Sequence, residues 1–144
     1  IQMGGAGSNT RGLIAGGDGT GSELSPALDN NTFNSISYVT IASAGDAIDF
    51  GDLSAAGRCA GGASSSTRAL IAGVNVANVI DYVEISTLGD ALDFGDLTNV
   101  TGNRTASFSS PTRFVCMSGH SSPNQGVIDF LNIASKGNTV KYRN

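Results

Sequence analysis

Residues 45–53 read GDAIDFGDL, and residues 89–97 read GDALDFGDL. They differ only at Ile48 against Leu92. Self-similarity at a period of about 20–50 residues marks a solenoid, propeller or array, whose single units cannot bury their own apolar faces. Two further anchors repeat around this nonapeptide. One is Thr-Arg before an apolar run, at Thr10-Arg11, Thr67-Arg68 and Thr112-Arg113. The other is a hexapeptide: ISYVTI (36–41), IDYVEI (80–85) and IDFLNI (128–133). A degenerate third nonapeptide runs from Gly137 to Tyr142, and a Gly/Ser-rich segment precedes each Thr-Arg: MGGAGSN (3–9), AGGASSS (60–66) and ASFSSP (106–111).

Each unit therefore offers four short candidate strands. Strand a is the Gly/Ser-rich run, b the LIAG-like run, c the hexapeptide and d the ALDFGDL-like run. Four strands in about 45 residues match one propeller blade. The expectation is an all-β chain, 1–144, forming one repeat domain of three four-stranded antiparallel units: about 1–53, 54–97 and 98–144. Strand c sets the architecture. Ile80 and Tyr82 alternate with Val83 and Ile85, so both faces are apolar, and Tyr38 and Phe130 hold the place of Tyr82 in the other copies. A sheet with one wet face would be polar on one side. These sheets need cover on both, as stacked blades have. The small residues of strand b suggest that it lies where the sheets converge.

Three blades do not close a ring, since propellers have four to eight. The chain is then half of a ring or a segment of a longer propeller. A β-prism, three sheets closing on themselves, is the alternative. The chain starts at Ile1, as expected of a processed product or a piece of something longer.

Composition agrees with strands and turns. Charged residues make up 14% of the chain, against roughly 25% in ordinary domains. The 20 glycines are well above the usual share of roughly 7%. A net charge of −4 argues against a nucleic-acid footprint. No apolar run is long enough for a membrane helix, so no membrane insertion is expected.

Five of the eight basic residues are arginines locked to the repeat: Arg11, Arg68 and Arg113, with Arg58 and Arg104. Strand d supplies an aromatic plug, Phe50 and Phe94, flanked by acids. The arginines are expected to bridge neighbouring units by pairing with the d-strand aspartates, as bidentate carboxylate contacts allow.

Little points to a reaction. The lone histidine, His120, reads as a turn residue, and no nucleophile elbow, P-loop or Rossmann fingerprint occurs. Cys59 and Cys116 read as small buried apolar residues rather than a bridge. The recurrence of Asp46/Asp49/Asp52 as Asp90/Asp93/Asp96 favours a structural device over a calcium or glycosidase site. No catalytic, cofactor or metal residues are expected. The b–c loops vary most and are the expected contact surface, through Asp18, Glu23, Asp29, Asn31, Asn75, Asn78, His120 and Asn124.

The units TRALIAG and NVIDYVEISTLGDALDFGDLT resemble kelch-like repeats of virion and tail-fibre proteins of marine tailed bacteriophages, over nearly all of the chain. Kelch units share the double glycine closing the second strand, here Gly16-Gly17. They carry a Trp in the last strand, where this chain has Phe50 and Phe94. The resemblance implies a β-propeller and a non-enzymatic structural or adhesion role on a virion or outside the cell. Expected partners are other virion proteins, copies of the chain itself or a host surface glycan. A lectin-like module and a fragment of a propeller enzyme are the alternative functions.

Overall fold

The computed structural model describes residues 3–19, 31–58, 61–100, 106–117 and 126–143. These residues form twelve strands and a single 3₁₀ turn at Val74–Val76. The first sheet holds β1 (Gly4–Gly7), β2 (Arg11–Gly19), β3 (Asn31–Thr40) and β4 (Ile48–Asp52). The second holds β5 (Gly61–Ser64), β6 (Arg68–Ala72), β7 (Val79–Glu84) and β8 (Leu92–Asp96). The third holds β9 (Ala106–Ser109), β10 (Arg113–Met117), β11 (Ile128–Asn132) and β12 (Val140–Arg143). Each is an antiparallel meander in the order a–b–c–d. The chain is all-β, in three four-stranded repeat units.

The sheets converge on strand a, not on strand b: β5 lies against both β1 and β9. Residue size explains the difference. Strand a reads GGAG, GGAS and ASFS, smaller still than strand b. A Cβ on Gly62 would stand 2.6 Å from the carbonyl oxygen of Gly5, so its absence lets β5 approach β1. Hydroxyls stitch the same edge. Ser64 Oγ donates to the Gly7 carbonyl and accepts from the Gly7 amide (3.0 Å). One unit on, Ser109 Oγ donates to the Ser64 carbonyl (2.6 Å) and accepts from the Ser64 amide (3.1 Å).

The core is two clusters, each between two sheets. Leu13, Ile36 and Phe50 of the first sheet meet Ala69, Ile71, Val83 and Ile85 of the second. Leu70, Ile80, Tyr82 and Phe94, on the opposite face of the second sheet, meet Phe114, Leu131 and Ile133 of the third. Neither cluster draws on all three sheets, as the interior of a prism would. The sheets therefore stack face to face, like blades, and the middle one is covered on both sides. Each large apolar side chain buried in a seam contributes about 1.5–3 kcal/mol, so the seams carry most of the stabilisation.

The repeated nonapeptide has a specific task in each seam. Its two halves recognise each other across units. The amides of Gly89 and Ala91, at the start of the second copy, donate to the carbonyls of Phe50 (2.9 Å) and Asp52 (2.7 Å), at the end of the first. Gly137 and Thr139 repeat this on Phe94 (3.0 Å) and Asp96 (2.8 Å). Asp90 Oδ1 accepts from the Asp52 amide, and Asn138 Oδ1 from the Asp96 amide, both at 3.0 Å. The glycine within DFGD makes the approach possible. Gly51 and Gly95 have φ of 147° and 148°, and a Cβ on either would run into the backbone of Gly89 or Gly137. The middle unit, gripped in this way from both sides, carries both plug and socket.

Gly51→Ala is therefore expected to lower the unfolding free energy by about 1–3 kcal/mol from backbone strain alone, with the clash adding to it. Gly45→Ala, at φ 158° with nothing within 4 Å of its Cβ, shares the backbone strain but not the clash and should cost less. Urea unfolding of the two variants checks this; equal losses contradict it.

Candidate functional site

The polar side chains held most firmly lie in the seams. The Arg11 guanidinium stacks on Tyr38, 4.7 Å from the ring centroid, and donates to the Ile85 carbonyl of the next unit (2.7 Å). Arg68 repeats this on Tyr82 (4.9 Å) and the Ile133 carbonyl (2.9 Å), and also pairs with Glu84 opposite it on β7. Arg113 stacks on Phe130 at 5.0 Å. The arginines thus bridge units, but their acceptors are c-strand carbonyls rather than d-strand aspartates. The reason is facing: the Arg68 guanidinium comes within 5.9 Å of the Phe94 ring on β8, but alternation turns the adjacent Asp93 to the other face of that strand. Asp90 instead serves the backbone of the preceding unit. Arg58 pairs with Asp18 at 2.9 Å, and Arg104 lies outside the described residues.

The aromatic pairs run through all three units. Tyr38–Phe50, Tyr82–Phe94 and Phe130–Tyr142 meet edge to face at 5.9, 5.7 and 5.8 Å. Tyr142 completes the plug expected of strand d. Phe50 and Phe94 are buried under the following sheet, whereas Tyr142 is 65% exposed.

Two buried acids tie strand c to the residues just after strand d of the preceding sheet. Asp81 Oδ2 accepts from the Ser54 amide (3.0 Å) and hydroxyl (2.8 Å). Asp129 accepts from the Thr98 amide (2.9 Å) and hydroxyl (2.7 Å). The first unit has Ser37 at this place, so its outer face holds no buried acid. Cys116 lies in the second seam, where burial, and then the charge of Asp129, push its thiol up to about 12. A thiol so placed stays protonated and shielded, and nucleophilic chemistry needs the thiolate. Cys59 lies outside the described residues.

The expected contact loops are only partly described. Glu23, Asp29, His120 and Asn124 fall outside the described residues. Asn31 opens β3. Asp18, at the end of β2, is held by Arg58 rather than presented outward. Asn75 is exposed at φ 55° in the 3₁₀ turn, and Asn78 gives its carbonyl to the Leu97 amide. Among the described residues, no three His, Cys, Asp or Glu side chains gather as a metal would need.

At the opposite end, the a–b turns form an open groove of 380 Å³ lined by Ser8, Asn9, Ser64, Ser65, Ser109 and Ser110 among others. The serine hydroxyls are already engaged. Ser8, Ser65 and Ser110 each accept from the amide of the arginine three residues on, which fixes the Thr-Arg turn. Among the described residues, no aromatic ring lines the groove to stack on a sugar. Sequence reasoning missed these serines and Ser54, although the Ser-x-Thr-Arg spacing at 8–11, 65–68 and 110–113 was there to be read.

The remaining surface of note is apolar and lies at the two ends of the stack. Positions that are buried in the middle sheet lie open on the outer faces of the first and third sheets. No protein-family model and no curated protein matches the chain.

Replacing Arg68 by Lys keeps the charge but loses the fork that holds Glu84 and the Ile133 carbonyl together. A stability loss of about 1–3 kcal/mol is expected, measured by denaturant unfolding. An unchanged midpoint contradicts the bridging role.

Proposed function

We propose that the chain is a non-enzymatic structural or adhesion module of a bacteriophage virion, a part of a tail, a fibre or a capsid decoration. The observation that carries this reading is the pair of open apolar faces at the ends of a stack whose inner seams use the same faces. Such surfaces mark sites of association, and repeat stacks place interaction surfaces where their units end. The polar groups agree with a building role. Arginines, buried acids and serines are spent on joining units, and the conserved geometry of the nonapeptide serves the same purpose. The resemblance to kelch-like virion repeats supplies the setting, a particle outside the cell whose partners are other virion proteins or further copies of the chain.

A lectin-like role draws less support. Tyr82, the aromatic ring beside Asp90 and Glu84, is 8% exposed, with the Arg68 guanidinium and the Lys136 ammonium over it. It does not offer a bare face to a sugar.

The test is immunogold electron microscopy of purified particles of the phage that encodes the chain, with antibody raised against it. Label at a fixed position on tail, fibre or capsid is expected. Particles free of label, with peptide mass spectrometry also blank, contradict the proposal.

A further inference from the structure

The two end faces differ in ways that make each a mould for the other. On the first sheet the outer face is set by Gly5, Gly7 and Gly12 near the inner edge, then Ile14, Val39 and Ile41. On the third sheet it is set by Phe108, Val115 and Met117, then Phe130 and Tyr142. The middle sheet shows what these positions do when covered: Ile85 is 2% exposed and Ile41 60%; Ile71 is 1% exposed and Ile14 47%. Exposure alone asks for a neighbour without naming it. Size and charge name it.

Against the middle unit, the third has Phe108 for Ala63 and Met117 for Ala72, an excess of volume near the inner edge. The first has Gly7 for Ser64 and Gly12 for Ala69, a deficit next to the level of Phe108, while Met117 stands three residues further along its strand. Interiors close-pack, so bulk on one face demands space on the other. Strand d is matched by charge. The third unit has Lys141 and Arg143 where the others have Asp49 or Asp93 and Gly51 or Gly95. The first presents an unmated plug, Gly45-Asp46-Ala47, all exposed. No glycine stands at 143, so this seam lacks the close plug of the other two, and Lys141 on the same strand offers a cation to the exposed Asp46. Arg113, already stacked on Phe130, stands as Arg11 and Arg68 do before they reach the next unit. Its counterpart acceptor is the Ile41 carbonyl, equivalent to those of Ile85 and Ile133.

We propose that a second copy of this chain covers both faces, with the third sheet of each copy packed on the first sheet of the other, closing a ring of two copies and six sheets. A head-to-tail contact of this kind closes or polymerises according to its rotation, and six sheets lie within the range of closed propellers. The inference rests on the same end faces as the virion reading and takes a further copy of the chain as their occupant; a dimer with no label on the particle would separate the two.

Sedimentation equilibrium of the 144-residue chain tests it. The expected mass is twice 14.5 kDa, from low micromolar concentration upward. Ile14→Arg and Phe108→Arg each alter one end face at an exposed position, so each is expected to stay folded by circular dichroism and to sediment as a monomer. Mixed in equal amounts, they keep one intact pair of faces and should associate at least tenfold more tightly than either alone, which no face packing on its own copy allows. If either variant unfolds, Ile14→Ser and Phe108→Ser replace them. A monomeric wild type, an open polymer, or variants that remain dimeric overturns the proposal.

Discussion

A four-stranded sheet that is apolar on both faces cannot stand alone in water. That constraint organises the rest of this molecule. Alternation along β7 sends Ile80 and Tyr82 one way and Val83 and Ile85 the other, and both sets are buried. With about 1.5–3 kcal/mol at stake for each large side chain, the sheet is stable only between two others. Every other feature of the seams follows from bringing such sheets into contact. The inner edges must be small to converge, the outer edges need backbone partners, and whatever polar group enters the seam must be satisfied there.

The seams answer the last demand in three layers, with Asp81 Oδ1 the exception among the described residues. Serine hydroxyls join the inner strands, arginines on aromatic rings join the middle, and the glycine-bearing nonapeptide joins the outer edge. Many of the acceptors are backbone carbonyls. This gives geometric specificity without tying a unit to one partner residue, which suits an array whose units vary in sequence. The two acids that do enter, Asp81 and Asp129, each accept from a hydroxyl and an amide just after the last strand of the preceding sheet, while Asp81 Oδ1 stays buried without a partner among the described residues.

Much of this was legible in the sequence, and the parts that were not share a cause. The three units, the four strands in each and the need for burial on both faces followed from period and alternation. The aromatic plug in strand d followed from Phe50 and Phe94. The convergence of the sheets on strand a did not, because GGAG and GGAS carry no hydrophobic signal. Its evidence is the absence of side chains. The arginines were visible as repeat-locked, but a carbonyl acceptor has no residue identity, so nearby aspartates were the natural and mistaken partners. Ser54 follows the last strand of the first sheet and Asp81 lies in the second sheet, 27 residues on, and nothing in the spelling of either marks the pair. The b–c loops were singled out for their variability, yet Asp18 is engaged by Arg58 within the molecule.

The central claim is that the three sheets hold one another up, so that seam and sheet form one cooperative unit. Native-state hydrogen exchange tests it most directly, at the amides of Ala91 and Thr139, which donate across the two seams. The account predicts that these exchange only through global unfolding, with the same free energy as amides inside β6 and β7. Seam amides that exchange freely while those strands stay protected would show that each sheet stands by itself, and would contradict it.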